Sequence, residues 1–485
     1  MWHHGRTMPR IAILTLLLTG LFSHAAAAQT APTHLLLKGN IVTPDGLILD
    51  GWLDIAKGRI LHIEREKTDI LGAQGDVQVL ETNDLIFPGF IDLHNHPSFN
   101  IFPRWTPPRK FPNRYAWRDW QVYQQQLESK SRALSADPAN FCDIDEYVEV
   151  KALIGGTTSI IGLGSNHMPG EAATPSPDCL RGLVRNLDHY TGFYGPAMDH
   201  ERIANSIGIL PRDMDANTVA LRRKQIADGS LDLLCIHIAE GLPTDSESAQ
   251  ELDILDADGL LGPHTALIHS VGLSPSQLAR VHRAGASIVW SPRSNFELYG
   301  QTANIDAAFR EGVTISLAPD WSPTGSDNMW EELQYARNVS NLRLDRIFTP
   351  RQLTEMASSV PARVAQIDDK VGTLAPGMLA DFLLVKRQVK DQPDGPHMDI
   401  YSAILDNPIT AIDLVVIDGI PVYGDPAMLK SLSIATEPLK LCGTEKALNS
   451  AALPNGPFAQ VEARLRTKMK AVGSELGPLD SCPSR

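Results

Sequence analysis

Residues 85–100, LIFPGFIDLHNHPSFN, carry an apolar run into His94-Asn95-His96. On an extended strand, side chains two apart share a face, so His94 and His96 project together. Two imidazoles on one face at a strand end make half of a divalent metal site. An H-x-H pair alone says little, because two exposed loop histidines read the same way. Here partners follow at comparable places: His237 and Glu240 close the apolar run 231–235, His269 closes 265–267 and Asp320 closes 312–319. Three neutral imidazoles and one carboxylate suit zinc, and imidazole also suits iron(II). Such an ion lowers the pKa of bound water toward about 7 and makes hydroxide available at neutral pH. The candidate ligands are therefore His94, His96, His237 and Asp320.

Glu240 lies three residues after His237, an odd offset that would point it to the opposite face of an ideal strand. The chain must turn out of the strand there, and Gly241-Leu242-Pro243 is the expected exit. Glu240 then becomes the candidate proton shuttle between water and leaving group, a role that contributes about 10²–10⁴-fold. An exposed loop glutamate is the bland alternative. His269 is expected beside the water, polarising it or stabilising developing charge; a core histidine satisfied by backbone is its alternative. Asp320 would accept a hydrogen bond from the attacking water as well as bind the ion. The catalytic candidates are Glu240, His269 and Asp320.

All of these polar residues end strand-like runs, the end at which (β/α)8 barrels place catalytic groups. The motifs PGFIDLHNH, HIAE, LIHS, SPRSN and APD run from Pro88 to Asp320. As a set they make the sequence resemble the amidohydrolase superfamily, in particular its single-metal cytosine deaminase and chlorohydrolase-like branch. The resemblance implies an α/β fold: a (β/α)8 TIM-like barrel over residues 86–365. It also implies a small β-sandwich domain built from both chain ends, residues 29–85 and 366–430. Residues 431–485 lie outside the resemblance and read as a helical extension, strongest over 459–472. The implied reaction adds hydroxide to an sp² carbon and expels an amine, ammonia or a halide. Cleavage of an amide, urea or carbamate-like C–N bond leads, with ring deamination or dechlorination of a nitrogen heterocycle as the alternative. Two-metal members commonly bridge their ions with a carboxylated lysine on the fourth strand. No lysine occurs from Ala152 through Arg223, so one divalent ion per chain is expected, zinc first and iron second. Glu171 and Glu201 are the glutamates in that span that could bridge a second ion.

The elements that must position these groups are readable to different degrees. Residues 155–162 read as the second strand, ending near His167, a candidate substrate contact. Residues 180–187 read as the third strand and 206–210 as part of the fourth, with a helix over 218–228 before the fifth. Residues 286–290 form the seventh strand, closed by Arg293 and Asn295, which could meet polar substituents of a substrate; for Arg293 an ion pair is the equal alternative. Trp321 replaces the small residue that relatives often carry after the aspartate, which suggests a differently shaped pocket floor. Residues 99–126 hold Phe102, Trp105, Phe111, Tyr115, Trp117, Trp120 and Tyr123. This stretch, Trp105 included, could roof the pocket with stacking surface for a flat substrate; an ordinary packed insert is the alternative. Helical periodicity returns over 329–342 and 350–360.

A formal net charge of −14 argues against nucleic acid or an anionic membrane surface as partner, leaving a small-molecule substrate. Arg6 and Arg10 precede the apolar run 11–22, followed by Ser23-His24-Ala25-Ala26-Ala27-Ala28. Basic, apolar and small-residue segments in that order form a secretory signal over residues 1–28. The apolar run is short for a bilayer span, so no stable membrane anchor is expected and the location is periplasmic or secreted. Five cysteines make a poor disulfide framework because the number is odd. Cys442 and Cys482 could staple the tail, and Cys235 should face the barrel interior as a free thiol. A homo-oligomer is left open. A catalytically inactive scaffold or a solute-binding protein is the reading from another class, disfavoured because neither needs so many costly buried ionisable groups together.

Overall fold

Among the described residues, short runs bounded by turns give eight parallel strands, mostly buried as strands of a covered sheet are. The computed structural model describes residues 34–66, 77–162, 183–188, 202–206, 210–387 and 400–482. Strands β1 (His34–Thr43), β2 (Gly46–Ala56), β3 (Arg59–Glu64) and β4 (Val77–Pro88) come first. The parallel set follows: β5 (Phe90–Asp92), β6 (Thr157–Ile160), β7 (Arg185–Asn186), β8 (Ile203–Ser206), β9 (Leu233–Ile238), β10 (Thr265–His269), β11 (Ser287–Trp290) and β12 (Thr314–Leu317). They form the sheets β5-β6-β7 and β8-β9-β10-β11-β12, with sequential neighbours parallel throughout. A parallel bridge between Asn95 and Asp320 joins the ends of β5 and β12. The fold is TIM-barrel-like, and among the described residues no pairing joins β7 to β8. The fourth strand is described over Ile203–Ser206; of the stretch 206–210 expected in it, residues 207–209 lie outside the described residues.

Alternation along these strands sorts side chains between two packed layers. Leu233 and Cys235 join Ile91, Leu93, Ala266, Ile268 and Val289 on one side. Leu234 and Ile236 join the larger cluster beneath the helices. His237, two after Cys235, therefore continues the first layer. Cys235 is buried and free.

The remaining strands are β13 (Phe382–Val385), β14 (Ile412–Ile417), β15 (Ile420–Gly424), β16 (Thr436–Leu441) and β17 (Thr444–Asn449). The strands of both chain ends, expected as a small β-sandwich, are hydrogen-bonded into one nine-stranded sheet, β16-β17-β15-β14-β13-β4-β1-β2-β3. The cause is β4, which pairs in parallel with β1 on one edge and antiparallel with β13 on the other. The two chain ends thus join through β4 and also share one buried core, in which Ile55 and Ile60 lie with Leu414 and Val416. The sheet also runs past residue 430. Cys442 and Gly443, both at positive φ, make the two-residue turn of a β16–β17 hairpin. The expected tail helix follows as Phe458–Ala471.

That helix packs on Phe141–Leu153 through stacked Tyr147 and Phe458 rings and an Arg464–Asp143 ion pair of 2.7 Å. Beyond it the tail crosses the loops that follow β5 and β12. Gly477 N–H donates to the Ile101 carbonyl, Asn328 Nδ2 to Asp480, and Ser481 Oγ to Asp327. Buried Lys151 completes this junction, 2.9 Å from Asp327 Oδ1. A Cys442–Cys482 disulfide fastens the tail, and Cys142 is also disulfide-bonded. The odd cysteine count therefore reflects one buried thiol beside paired cysteines.

Candidate active site

Four imidazoles and two carboxylates converge where β5, β9, β10 and β12 end. Ring centroids of His94 lie 4.9 Å from His96, 4.8 Å from His237 and 5.1 Å from His269. Asp320 Oδ1 stands 3.0 Å from His94 Nε2 and 3.4 Å from His96 Nε2. His269 Nε2 is 3.7 Å from Glu240 Oε1. The backbone that aims these groups is strained. Ala239, His269, Ser270 and Asp320 all have positive φ, between 48° and 68°, a region unfavourable for residues with a Cβ. Such strain persists only where its surroundings enforce it. Here the bonds are Asp320 N–H to the His94 carbonyl (3.2 Å), His96 N–H to the Asp320 carbonyl (3.1 Å) and Gly272 N–H to the Ala239 carbonyl (2.8 Å).

The exit that turns Glu240 inward sits at Ala239, two residues earlier than the Gly241-Leu242-Pro243 signal. Its N–H is held by buried Glu251 at 2.6 Å. Burial pushes the Glu251 carboxyl up to about 8. A similar device supports the other side, where buried Asp92 accepts from His94 N–H (3.0 Å) and Asn95 Nδ2 (2.6 Å). Burial pushes Asp92 up to about 8 as well.

The histidines have the chemistry of ligands. Burial holds His94, His96 and His237 well below the usual imidazole range, with neighbouring imidazoles and the Arg114 guanidinium adding to the effect. They are therefore neutral at pH 7. Both ring nitrogens of His94 and Nδ1 of His237 are buried without a hydrogen-bond partner. Orphaned buried nitrogens are costly unless something coordinates them. One ligand atom each from His94, His96 and His237 lies within 4.8 Å of the others, as do those of His94, His269 and Asp320. The donor set fits a divalent ion.

Other candidates fall into different roles. Asn295 does not face an open site: its Oδ1 accepts from His269 Nδ1 at 2.9 Å, and its Nδ2 donates to Thr302 Oγ1. It holds the ring of His269. Arg293 pairs with Glu331 at 2.7 Å and lies over the Tyr335 ring, so the ion-pair alternative is the one realised. Trp321 stands against His96 at 6.1 Å, packed on Phe99 and Trp117. Trp105 is one layer further out, on Trp120 and Tyr123, with its indole N–H on Gln126. The insert is thus a packed aromatic wall beside the histidines. His167, Glu171 and Glu201 lie outside the described residues.

Two residues with no sequence signal stand at Glu240. Tyr299 donates to Oε1 at 2.7 Å, and Arg114 Nε is 3.4 Å from Oε2. Neither spacing nor periodicity marks them; the folding of the insert brings Arg114 there, and the helix Pro292–Tyr299 brings Tyr299.

Residues 231–422 match the model of the amidohydrolase family. The chain carries an amidohydrolase domain. Among relatives, it is 24% identical over 384 residues to the 5-methylthioadenosine/S-adenosylhomocysteine deaminase of Syntrophobacter fumaroxidans, covering 72% of this chain and 84% of the relative. Among solved structures, a zinc-bound adenosine deaminase from Xanthomonas campestris superposes with a TM-score of 0.66 at 15% identity, over 90% of this chain and 98% of that one. A mutant atrazine chlorohydrolase from Arthrobacter aurescens, complexed with zinc and atraton, gives 0.63 at 16% identity, over 80% and 95%. These superpositions share the TIM-barrel-like α/β fold. With that domain the protein is an enzyme for carbon–nitrogen bonds other than peptide bonds, and its deaminase relatives act on small molecules.

Proposed function

We propose that this amidohydrolase binds a single divalent ion and removes an exocyclic amino group from a small, planar nitrogen heterocycle, releasing ammonia. The observation that carries the reading is the cluster of His94, His96, His237 and Asp320 facing the Glu240–His269 pair. Its occurrence in a chain similar to a deaminase of 5-methylthioadenosine moves ring deamination ahead of amide, urea or carbamate cleavage. The aromatic wall of Trp321, Trp117 and Phe99 suits a flat ring.

His94, His96, His237 and Asp320 would hold the ion, zinc before iron, which makes water acidic enough to attack near neutral pH. Asp320 accepts one hydrogen bond from that water and orients its lone pair. Glu240 takes the water's proton as oxygen adds to the ring carbon, then delivers it to the amino nitrogen as the C–N bond breaks. His269, its ring fixed by Asn295, steadies the charge that develops on the substrate. Water is consumed, and a ring carbonyl and ammonia are formed.

The test is a product assay on purified zinc-loaded protein. 5-Methylthioadenosine, guanine, cytosine and melamine are compared with a series of aryl ureas and carbamates. Ammonia from at least one aminated ring, absent without enzyme, is expected. Amine release from ureas or carbamates with no ammonia from any ring would hand the assignment to amide-type hydrolysis.

We further infer export to an oxidising compartment. Support comes from the signal pattern of residues 1–28 and from the bonded cysteines, since disulfides persist in oxidising compartments. N-terminal sequencing of protein from the periplasmic or culture fraction should begin near residue 29. Protein recovered only from cytosol with residues 1–28 intact would refute it.

A further inference from the structure

We propose that residues 111–117 of the aromatic insert form a clamp for the proton shuttle, in which Arg114 and Tyr299 are positioning residues that hold the two oxygens of Glu240 separately. The proposal rests on the assignment of Glu240 as shuttle.

The clamp is built first from backbone. Asn113 forms an antiparallel bridge with Gly241, Arg114 N–H donates to the Glu240 carbonyl at 2.9 Å, and Leu242 N–H donates to the Pro112 carbonyl at 2.6 Å. Phe111 N–H reaches the Leu298 carbonyl at 2.8 Å, one residue before Tyr299. The insert is therefore laced to both segments that carry the carboxylate and its phenol. Close approach requires glycine at 241, where a Cβ would lie 2.8 Å from Asn113 Cβ and 2.4 Å from Ser248 Oγ.

The side chains then divide the carboxylate. Tyr299 O–H donates to Oε1, and Trp117 Nε1–H donates to the Tyr299 oxygen at 2.8 Å. Because the phenol oxygen already accepts from Trp117, its own hydrogen is committed to Glu240. Arg114 faces Oε2, and both members of that ion pair are almost wholly buried. A carboxylate oxygen has two lone-pair sites, so each oxygen retains one for a travelling proton. Neither holder competes for that proton. A guanidinium does not give up its proton at working pH, and burial with the Glu240 charge raises the Tyr299 phenol well above its ordinary value. A lysine or histidine in the place of Arg114 would lack this property.

The experiment combines turnover with a substrate-free readout. Melting is measured for wild type, Arg114→Ala, Glu240→Gln and the double variant. Turnover is measured on the best substrate of the panel above. Arg114→Ala should bind the same metal per chain and lose about 10²-fold in kcat, the scale of a misplaced reacting group. KM should move by less than about threefold, and added guanidinium ion should restore part of kcat. The melting losses should be non-additive, because removing Glu240 relieves the buried charge that Arg114→Ala leaves unpaired. Should Arg114→Ala not fold, Arg114→Lys and Tyr299→Phe test the same clamp, with about tenfold lower kcat expected for Tyr299→Phe. Wild-type kcat in these variants with additive melting losses overturns the clamp. Non-additive melting in a protein that turns over no panel member supports the clamp and removes the assigned reaction instead.

Discussion

Asp320→Ala is expected to leave a purified protein with no stoichiometric metal and no measurable turnover. Wild type should carry close to one zinc or iron per chain by elemental analysis without added metal. Among the described residues, Asp320 is the one carboxylate within 3.4 Å of two of the candidate ligand histidines, so its loss leaves those imidazoles without a carboxylate partner. It is also the group placed to orient the water. The expected loss therefore exceeds the about 10²–10⁴-fold typical of a single proton-transfer group. The backbone contributes as well, since Asp320 has φ of 68° and its amide and carbonyl tie the ends of β5 and β12 together. Asp320→Asn separates the two contributions. Asparagine tolerates the left-handed conformation better than alanine and keeps the shape, but removes the charge. Asp320→Asn should melt closer to wild type than Asp320→Ala while sharing its lack of metal. Full metal occupancy and turnover in Asp320→Asn would sink the ligand assignment. Two ions per wild-type chain would sink the single-ion reading and point to a bridging group outside the described residues.

Much of this site is legible from sequence because strand periodicity and chain direction act locally. His94 and His96 share a face by a two-residue repeat, His237 inherits the orientation of Cys235, and Asp320 ends an unmistakable apolar run. What escapes depends on contacts between distant segments. The turn that aims Glu240 needs positive φ at Ala239, an alanine that only the Glu251 carboxylate and neighbouring backbone can hold there. Asn295 looks like a substrate contact in SPRSN, yet a short helix, Pro292–Tyr299, places it beneath His269. The same helix delivers Tyr299 to Glu240, and nothing in its spacing says so. At the level of fold, the apolar runs reveal strands but not which edges meet. The pairing of β4 with both β1 and β13 joins the two chain ends into one hydrogen-bonded sheet. The hairpin after residue 430 is missed because Thr436–Leu441 alternates weakly and contains Pro438.

Glu240→Gln should retain wild-type metal content and lose about 10²–10⁴-fold in kcat, with KM changed by only a few-fold. The substitution keeps size and shape, so it tests proton transfer rather than packing. Its geometric demands are nevertheless specific. In wild type, Glu240 accepts from Tyr299 on Oε1 and faces Arg114 with Oε2. A side-chain amide offers one acceptor and one donor, so whichever way the substituted side chain turns, either the phenol or the guanidinium meets an N–H. The site therefore loses both its shuttle and the counter-charge of a buried arginine, and melting should fall as well as kcat. Glu240→Asp discriminates these losses, because it restores charge and proton capacity on a shorter arm. If proton transfer is the decisive role, Glu240→Asp should recover part of kcat although its carboxylate cannot reach both holders. Stopped turnover in Glu240→Gln with metal still bound would also provide a protein that binds substrate without consuming it, and equilibrium binding of an aminated ring to that variant would be measurable directly. Wild-type kcat in Glu240→Gln would remove Glu240 from the chemistry and pass proton transfer to Asp320 or to His269, 3.7 Å from Glu240 and held by Asn295.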